Sequence, residues 1–170
     1  SVWGMSNVAT SLKCLRGLTM LEKNFRTTDI YRIAEQFRCA IVRAKRNGEF
    51  NFRDRMHNFP GGCCDDACDL LAYYLQREYG ITSCQGNGIY RDEDADNTTN
   101  HAWLIIDDKI IVDITGSQFK YCAGFCEDVY VGEETVFYKN LERKQIYANC
   151  DITKDERLWK DYQIIEKYIE

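Results

Sequence analysis

The chain has 170 residues, 45% of them hydrophobic and 13% aromatic, with a single proline, which is enough to bury one sizeable core. Its longest apolar runs, such as Leu104–Ile106 and Ile110–Val112, are a few residues long against the ~20 needed to cross a bilayer, so no membrane span is expected. The net charge of −5 is uneven: residues 1–56 hold 11 Lys/Arg against 5 Asp/Glu, and residues 57–170 hold 11 against 22. The molecule as a whole repels polyanions, which excludes a DNA or RNA partner, and the basic residues of the first third read as the solvated face of a helix.

The segment Ser1–Leu21 carries Lys13 and Arg16 and no long apolar stretch, so it does not read as a secretory signal, and Met5 reads as the native start. Nine cysteines, an odd number that includes the adjacent pair Cys63 and Cys64, fit free thiols in a reducing cytosol better than a disulfide framework. A secreted effector stays open, because a signal can already have been removed.

In chain order, Ile30, Ile33, Ala34, Phe37, Ile41 and Ala44 recur at three and four, predicting an amphipathic helix over 28–47 with Thr28 as N-cap, Asn47-Gly48 as stop, and Arg32, Arg43 and Arg46 opposite the apolar stripe. The segment Asn58-Phe59-Pro60-Gly61-Gly62 predicts a sharp turn. A second helix follows from Cys64 to Tyr79, stopped by Gly80, with Asp65, Asp66 and Asp69 near its positive end and a stripe of Cys64, Ala67, Cys68, Leu71 and Leu75. Strands are predicted at 83–90, 100–106, 110–115, 128–131 and 134–139, with 91–99 as a polar surface loop. A closing helix begins near Lys154, with Thr153 as its cap and a stripe of Leu158, Tyr162, Ile165 and Ile169. These elements make one α+β domain over 1–170, with a helical N-terminal elaboration over 1–56.

Several motifs point to chemistry. Asp92, Asp94 and Asp96 resemble the start of a calcium loop, but Asn97 stands where glycine and Trp103 where glutamate belong. The acceptor pattern at Asn97 carries little meaning without a secretory signal. Cys122 and Cys126, with Cys63, Cys64, Cys68, His57 and His101, contain the ligand types of a zinc site but lack paired Cys-x-x-Cys knuckles, so no metal or other cofactor is assigned. The strongest set is Cys63/Cys64 at a helix start, His101 on a strand and Asp113 on the next. A helix N-terminus and a nearby imidazole turn a thiol into a nucleophilic thiolate, and a carboxylate fixes the imidazole tautomer.

The stretch from Phe59 to Leu71, the block His101-Ala102-Trp103-Leu104 and the block Asp113 to Phe119 resemble the Cys-His-Asp core of transglutaminase-like proteins within the papain-like group, small bacterial members above all. The resemblance covers residues 58–119. It implies an antiparallel sheet packed against the helix that carries the nucleophile, with Cys64 as nucleophile, His101 as base and Asp113 as orienting acid. Cys63 stands where that family has a small polar residue, and Cys68 where serine is common. Cys68 lies a turn deeper on the helix face, which favours Cys64. Asn58 sits where papain-like enzymes keep an oxyanion amide, and Gln118 competes for that part. His57 reads as an exposed loop residue, and Trp103 and Phe119 as core or cleft wall.

The expected activity is cysteine-dependent amide hydrolysis or acyl transfer on a protein or peptide through a thioester. The alternative is a catalytically inactive or zinc-stabilised module that binds a protein partner. Strand parity adds a geometric condition. Asp113 shares a sheet face with His101 only if Ile106 pairs with Ile110, which needs a three-residue connection, Asp107-Asp108-Lys109.

Overall fold

A computed structural model describes residues 25–94, 96–120 and 127–170. It is an α+β structure in which five antiparallel strands form one sheet. Helix α1 spans Thr27–Arg46 and α2 spans Cys64–Tyr79. Strands β1 (Cys84–Asp92), β2 (Asn97–Ile106) and β3 (Ile110–Asp113) form two successive hairpins. Next come β4 (Tyr130–Gly132), the one-turn helix α3 (Val136–Lys139), β5 (Glu142–Ala148) and α4 (Glu156–Glu166). The strand order is β4-β3-β2-β1-β5.

The two faces of the sheet have different covers. Ala102, Leu104, Ile106, Val112 and Ile114 join the buried stripes of α1, α2 and α4 in the main core. Trp103 and Ile111 point the other way and pack with Tyr138 and Leu141. His101 and Asp113, by the same alternation, belong to this second face. The indole of Trp103 lies against the backbone of its cross-strand partner Gly86, where an added Cβ would come within 2.5 Å of the ring.

The two long helices follow the sequence closely. All six stripe residues of α1 are buried, and α2 has the predicted bounds, with Gly80 left-handed at φ 66°. Helix α1 begins one residue before the predicted cap: Arg26 stands at the N-cap position, its N–H donating to the Asp29 carboxylate (3.1 Å), and Thr28 lies inside the first turn. Helix α4 is capped by Asp155, whose carboxylate accepts the Leu158 N–H, while Thr153 lies in a short 3-10 turn capped by Asp151. A charged carboxylate is the stronger acceptor at a positive helix end and displaces the hydroxyl.

Three predicted segments are corrected. Most of the expected polar loop 91–99 is strand, because β1 runs to Asp92 and β2 starts at Asn97, so the hairpin projects past the core and both its faces are polar. The predicted strand 134–139 contains the helical turn α3, which directs Tyr138 into the second core. Strand β5 was not expected. It is exposed along its whole length, so it has no buried face to impose alternation, and only its pairing to β1 defines it. A register shift along this pair leaves Arg143 left-handed at φ 50°.

Among the described residues no helix is long and apolar enough to cross a membrane. Cys39, Cys63, Cys64, Cys68 and Cys150 are free thiols, whereas Cys84 is disulfide-bonded. A uniformly reduced set of cysteines therefore does not describe this chain, and the expectation of a reducing cytosol loses that support. The readings at Ser1–Leu21, Met5, Cys122 and Cys126 lie outside the described residues.

The close fit of Gly86 to Trp103 gives a direct check. Gly86→Ala forces the buried indole to move and should cost about 1–3 kcal/mol, read as a lower urea midpoint at unchanged slope.

Candidate active site

The β2–β3 connection meets the parity condition. Ile106 pairs with Ile110, Ile105 with Ile111 and Leu104 with Val112. Asp107 and Asp108 both take left-handed backbone (φ 53° and 54°), the Lys109 N–H returns to the Ile106 carbonyl at 3.1 Å, and Lys109 is the extra residue. Aspartate tolerates this conformation better than most non-glycine residues, so two aspartates make the turn without a glycine.

This register puts His101 and Asp113 in contact. His101 Nε2–H donates to Asp113 Oδ2 at 2.6 Å, and both side chains are fully buried. The other carboxylate oxygen accepts the Thr115 N–H at 2.9 Å, and the Thr115 hydroxyl lies 3.4 Å from it. The Tyr138 hydroxyl donates to Oδ2 at 2.8 Å. Burial disfavours the Asp113 charge, but the His101 charge and hydrogen bond, with Thr115 and Tyr138, hold its carboxyl below the usual range. Burial pulls His101 down as well. The Asp113 charge and hydrogen bond, aided by Cys64, reverse this and raise it to about 9.

With Nε2 committed to Asp113, Nδ1 is left for proton exchange. Cys64, the first residue of α2, stands beside the β2 backbone with Sγ 3.9 Å from the Asn100 carbonyl, near enough to His101 to help raise the imidazole. It is half-buried, whereas Cys63 and Cys68 are buried. Burial pushes the Cys63 thiol up to about 12 and the Cys68 thiol well above its ordinary value, so neither forms a thiolate near neutral pH. The helix start carries no side-chain cap, so its first N–H groups remain available above the thiol.

Gln118 lies in a 3-10 turn, Gly116–Phe119, with its amide nitrogen 3.2 Å from His101 Nδ1. It donates to Nδ1 while that nitrogen has its lone pair. When Nδ1 takes a proton, the amide must turn its oxygen inward or move aside. Asn58, the competing oxyanion residue, is an exposed residue at the end of another 3-10 turn, where its carbonyl accepts the Gly61 N–H. The structure thus brings Gln118 to the histidine and does not bring Asn58 there. His57 is exposed, with Nδ1 3.4 Å from the Phe50 carbonyl, and stands apart from the site. Phe119 and Trp103 wall the imidazole at ring separations of 4.9 and 5.8 Å.

Two features were not read from the sequence. Asp66, in the first turn of α2, is buried and gripped by Arg55 (2.7 and 3.1 Å) and Arg157 (2.8 and 3.0 Å), while Arg55 also reaches Asp65 at 2.9 Å. These cations offset carboxylates that would otherwise oppose a thiolate at Cys64. From α1, Arg38 Nε donates to the Ile114 carbonyl at 3.1 Å and Lys45 Nζ to the Phe59 carbonyl at 2.6 Å, so the helix ties down the loops before Cys64 and after Asp113. The spacing Asp113-x-Thr115 is an Asx-turn signal that identifies the Thr115 contact, whereas nothing in the sequence couples Tyr138 or Arg157 to the site. Among the described residues no group of three or more His, Cys, Asp or Glu side chains is placed to hold a metal ion.

The raised His101 has a consequence for stability. Its folded value near 9 lies above the ordinary 6.5, so its contribution to stability is complete below about 6.5 and is lost as pH rises through about 9. Thermal melts across that interval should show the native protein losing stability with rising pH and His101→Gln giving a flatter profile.

Comparison with family models, curated proteins and solved structures finds no match to this chain, so the geometry of Cys64, His101 and Asp113 is what any functional reading stands on.

Proposed function

We propose that the chain is a cysteine-dependent amide hydrolase or acyltransferase, of deamidase, isopeptidase, peptidase or transglutaminase type, that acts on a protein or peptide, and that its α+β architecture is a transglutaminase-like variant of the papain-like core. One observation carries the reading: a half-buried thiol at an uncapped helix N-terminus stands 3.9 Å from the backbone carbonyl of Asn100, next in the chain to an imidazole bonded to a buried carboxylate at 2.6 Å. The resemblance of residues 58–119 agrees with it.

In the proposed reaction, the proton of the Cys64 thiol rests on His101 Nδ1, as the raised proton affinity of this imidazole favours, and the thiolate attacks the amide carbonyl carbon. The developing oxyanion meets the free N–H groups of the first turn of α2, with Gln118 as the side-chain donor within reach. His101 then gives its proton to the departing amine as the C–N bond breaks, which leaves an acyl-thioester on Cys64. Water, or a second amine, attacks the thioester, and the thiol is restored. Throughout, Asp113 holds Nε2–H and with it the ring orientation.

The decisive measurement is mass spectrometry after treatment with an acylating ester or amide probe, with the thioester expected on Cys64. Iodoacetamide at neutral pH should modify Cys64 first. Cys64→Ala should abolish turnover and His101→Ala lower it by at least about 100-fold with the fold retained, whereas His57→Ala should have little effect. Labelling that begins at Cys63 or Cys122 and spares Cys64, or equal losses from the two histidine variants, overturns the reading in favour of a partner-binding module.

A further inference from the structure

Asp113 is held from three places in the chain. Thr115 bonds one oxygen from the same turn, and His101 bonds the other from the adjacent strand. The remaining donor, the Tyr138 hydroxyl, arrives from α3 on a side chain with no exposure, and it shares Oδ2 with His101 Nε2–H at 2.8 Å. The phenol also lies over the imidazole, with ring centres 6.5 Å apart and planes 27° apart, and packs against Trp103 at 5.4 Å. Such a costly placement of a polar group, deep in an apolar cluster, is offset by a charged acceptor.

We propose that Tyr138 is a positioning residue which sets, through Asp113, how tightly His101 keeps its proton. The proposal rests on the Cys64–His101 chemistry argued above. Two donors on one carboxylate oxygen divide its charge between them, so the Tyr138 hydroxyl weakens the hold of Asp113 on the imidazolium. A weaker hold makes His101 a readier acid toward the leaving amine. Tyr138 does not compete for the proton itself: burial first, and then the charge of Asp113, move its phenol far above the ordinary range, so it stays a donor.

The groups that face this arrangement come from every neighbouring element. They are Cys64 and Cys68 from α2, Asp113 from β3, Tyr130 from β4, and Glu127, which precedes β4. None of them other than Tyr138 donates to Oδ2 beside His101.

The chain has only two histidines, so the imidazole resonances of His101 can be followed by NMR as pH is raised, with assignment from His57→Gln. Tyr138→Phe keeps the ring and removes the donor, and the His101 midpoint should move up by about one pH unit, the size expected for one lost hydrogen bond to a charge. Tyr138→3-fluorotyrosine strengthens the donor and should move the midpoint down. It also carries the test if the phenylalanine variant fails to fold. Opposite shifts from the two variants are a signature that general loosening of the core does not produce. Midpoints that stay in place, or that move the same way in both variants, overturn the proposal. If the shifts appear while Cys64 forms no thioester, the proposed function fails and the coupling of Tyr138 to His101 stands. If the thioester forms and the midpoints do not move, only the coupling fails.

Discussion

A carboxylate without solvent contact is the constraint around which this structure is arranged. Ionised Asp113 can remain buried only if donors replace the water it has lost, and they come from the backbone of its own turn, from a neighbouring strand and from a helix beyond β4. Each donor fixes a different part of the fold: the turn at Thr115, the register of β2 against β3, and the placement of α3 over the second face of the sheet. The charge then acts on His101 with little solvent screening, and an imidazole that would otherwise be neutral in so apolar a setting is kept protonated to about pH 9.

The nucleophile has a matching electrostatic problem at the other side of the site. The start of α2 favours an anion, but Asp65 and Asp66 already occupy that end. Arg55 and Arg157 absorb these charges, and Arg157 also approaches Asp54 and Asp161. Burial, followed by the nearby Asp54 carboxylate, pushes the Asp161 carboxyl up to about 8. The first turn of α2 is therefore anchored by ion pairs while the thiol of Cys64 keeps the favourable end of the helix. Helix α1 completes the support, because Arg38 and Lys45 bind backbone carbonyls in the loops on both sides of the site.

What was legible in the sequence follows from which signals are local. The stripes of α1 and α2, the stop at Gly80, and the requirement that Asp113 share a face with His101 depend on periodicity, and they appear as expected. Gln118 was named with Asn58 as an alternative, and only contact with Nδ1 separates them. The errors have the same origin. Val136-Phe137-Tyr138 has strand-forming side chains, yet one helical turn there is imposed by the packing of Tyr138. Strand β5 has no buried face and so no alternation to read. Asp66 finds Arg157 91 residues away, a pairing that composition and spacing do not encode.

The exposed strand β5 has a further consequence for how the sheet ends. A long free edge offers unpaired N–H and C=O groups to any extended segment that comes near it, and this one carries Ile146 and Tyr147 in the open. Glu142, Arg143 and Lys144 lie along the same edge, and the left-handed residue at Arg143 bends the strand out of line. A stray strand would have to bury charges and follow a kink in order to add itself, while at the opposite end β4 offers only three residues. The sheet thus discourages its own extension from both sides, a protection against aggregation built from the residues whose charge made β5 hard to recognise as a strand.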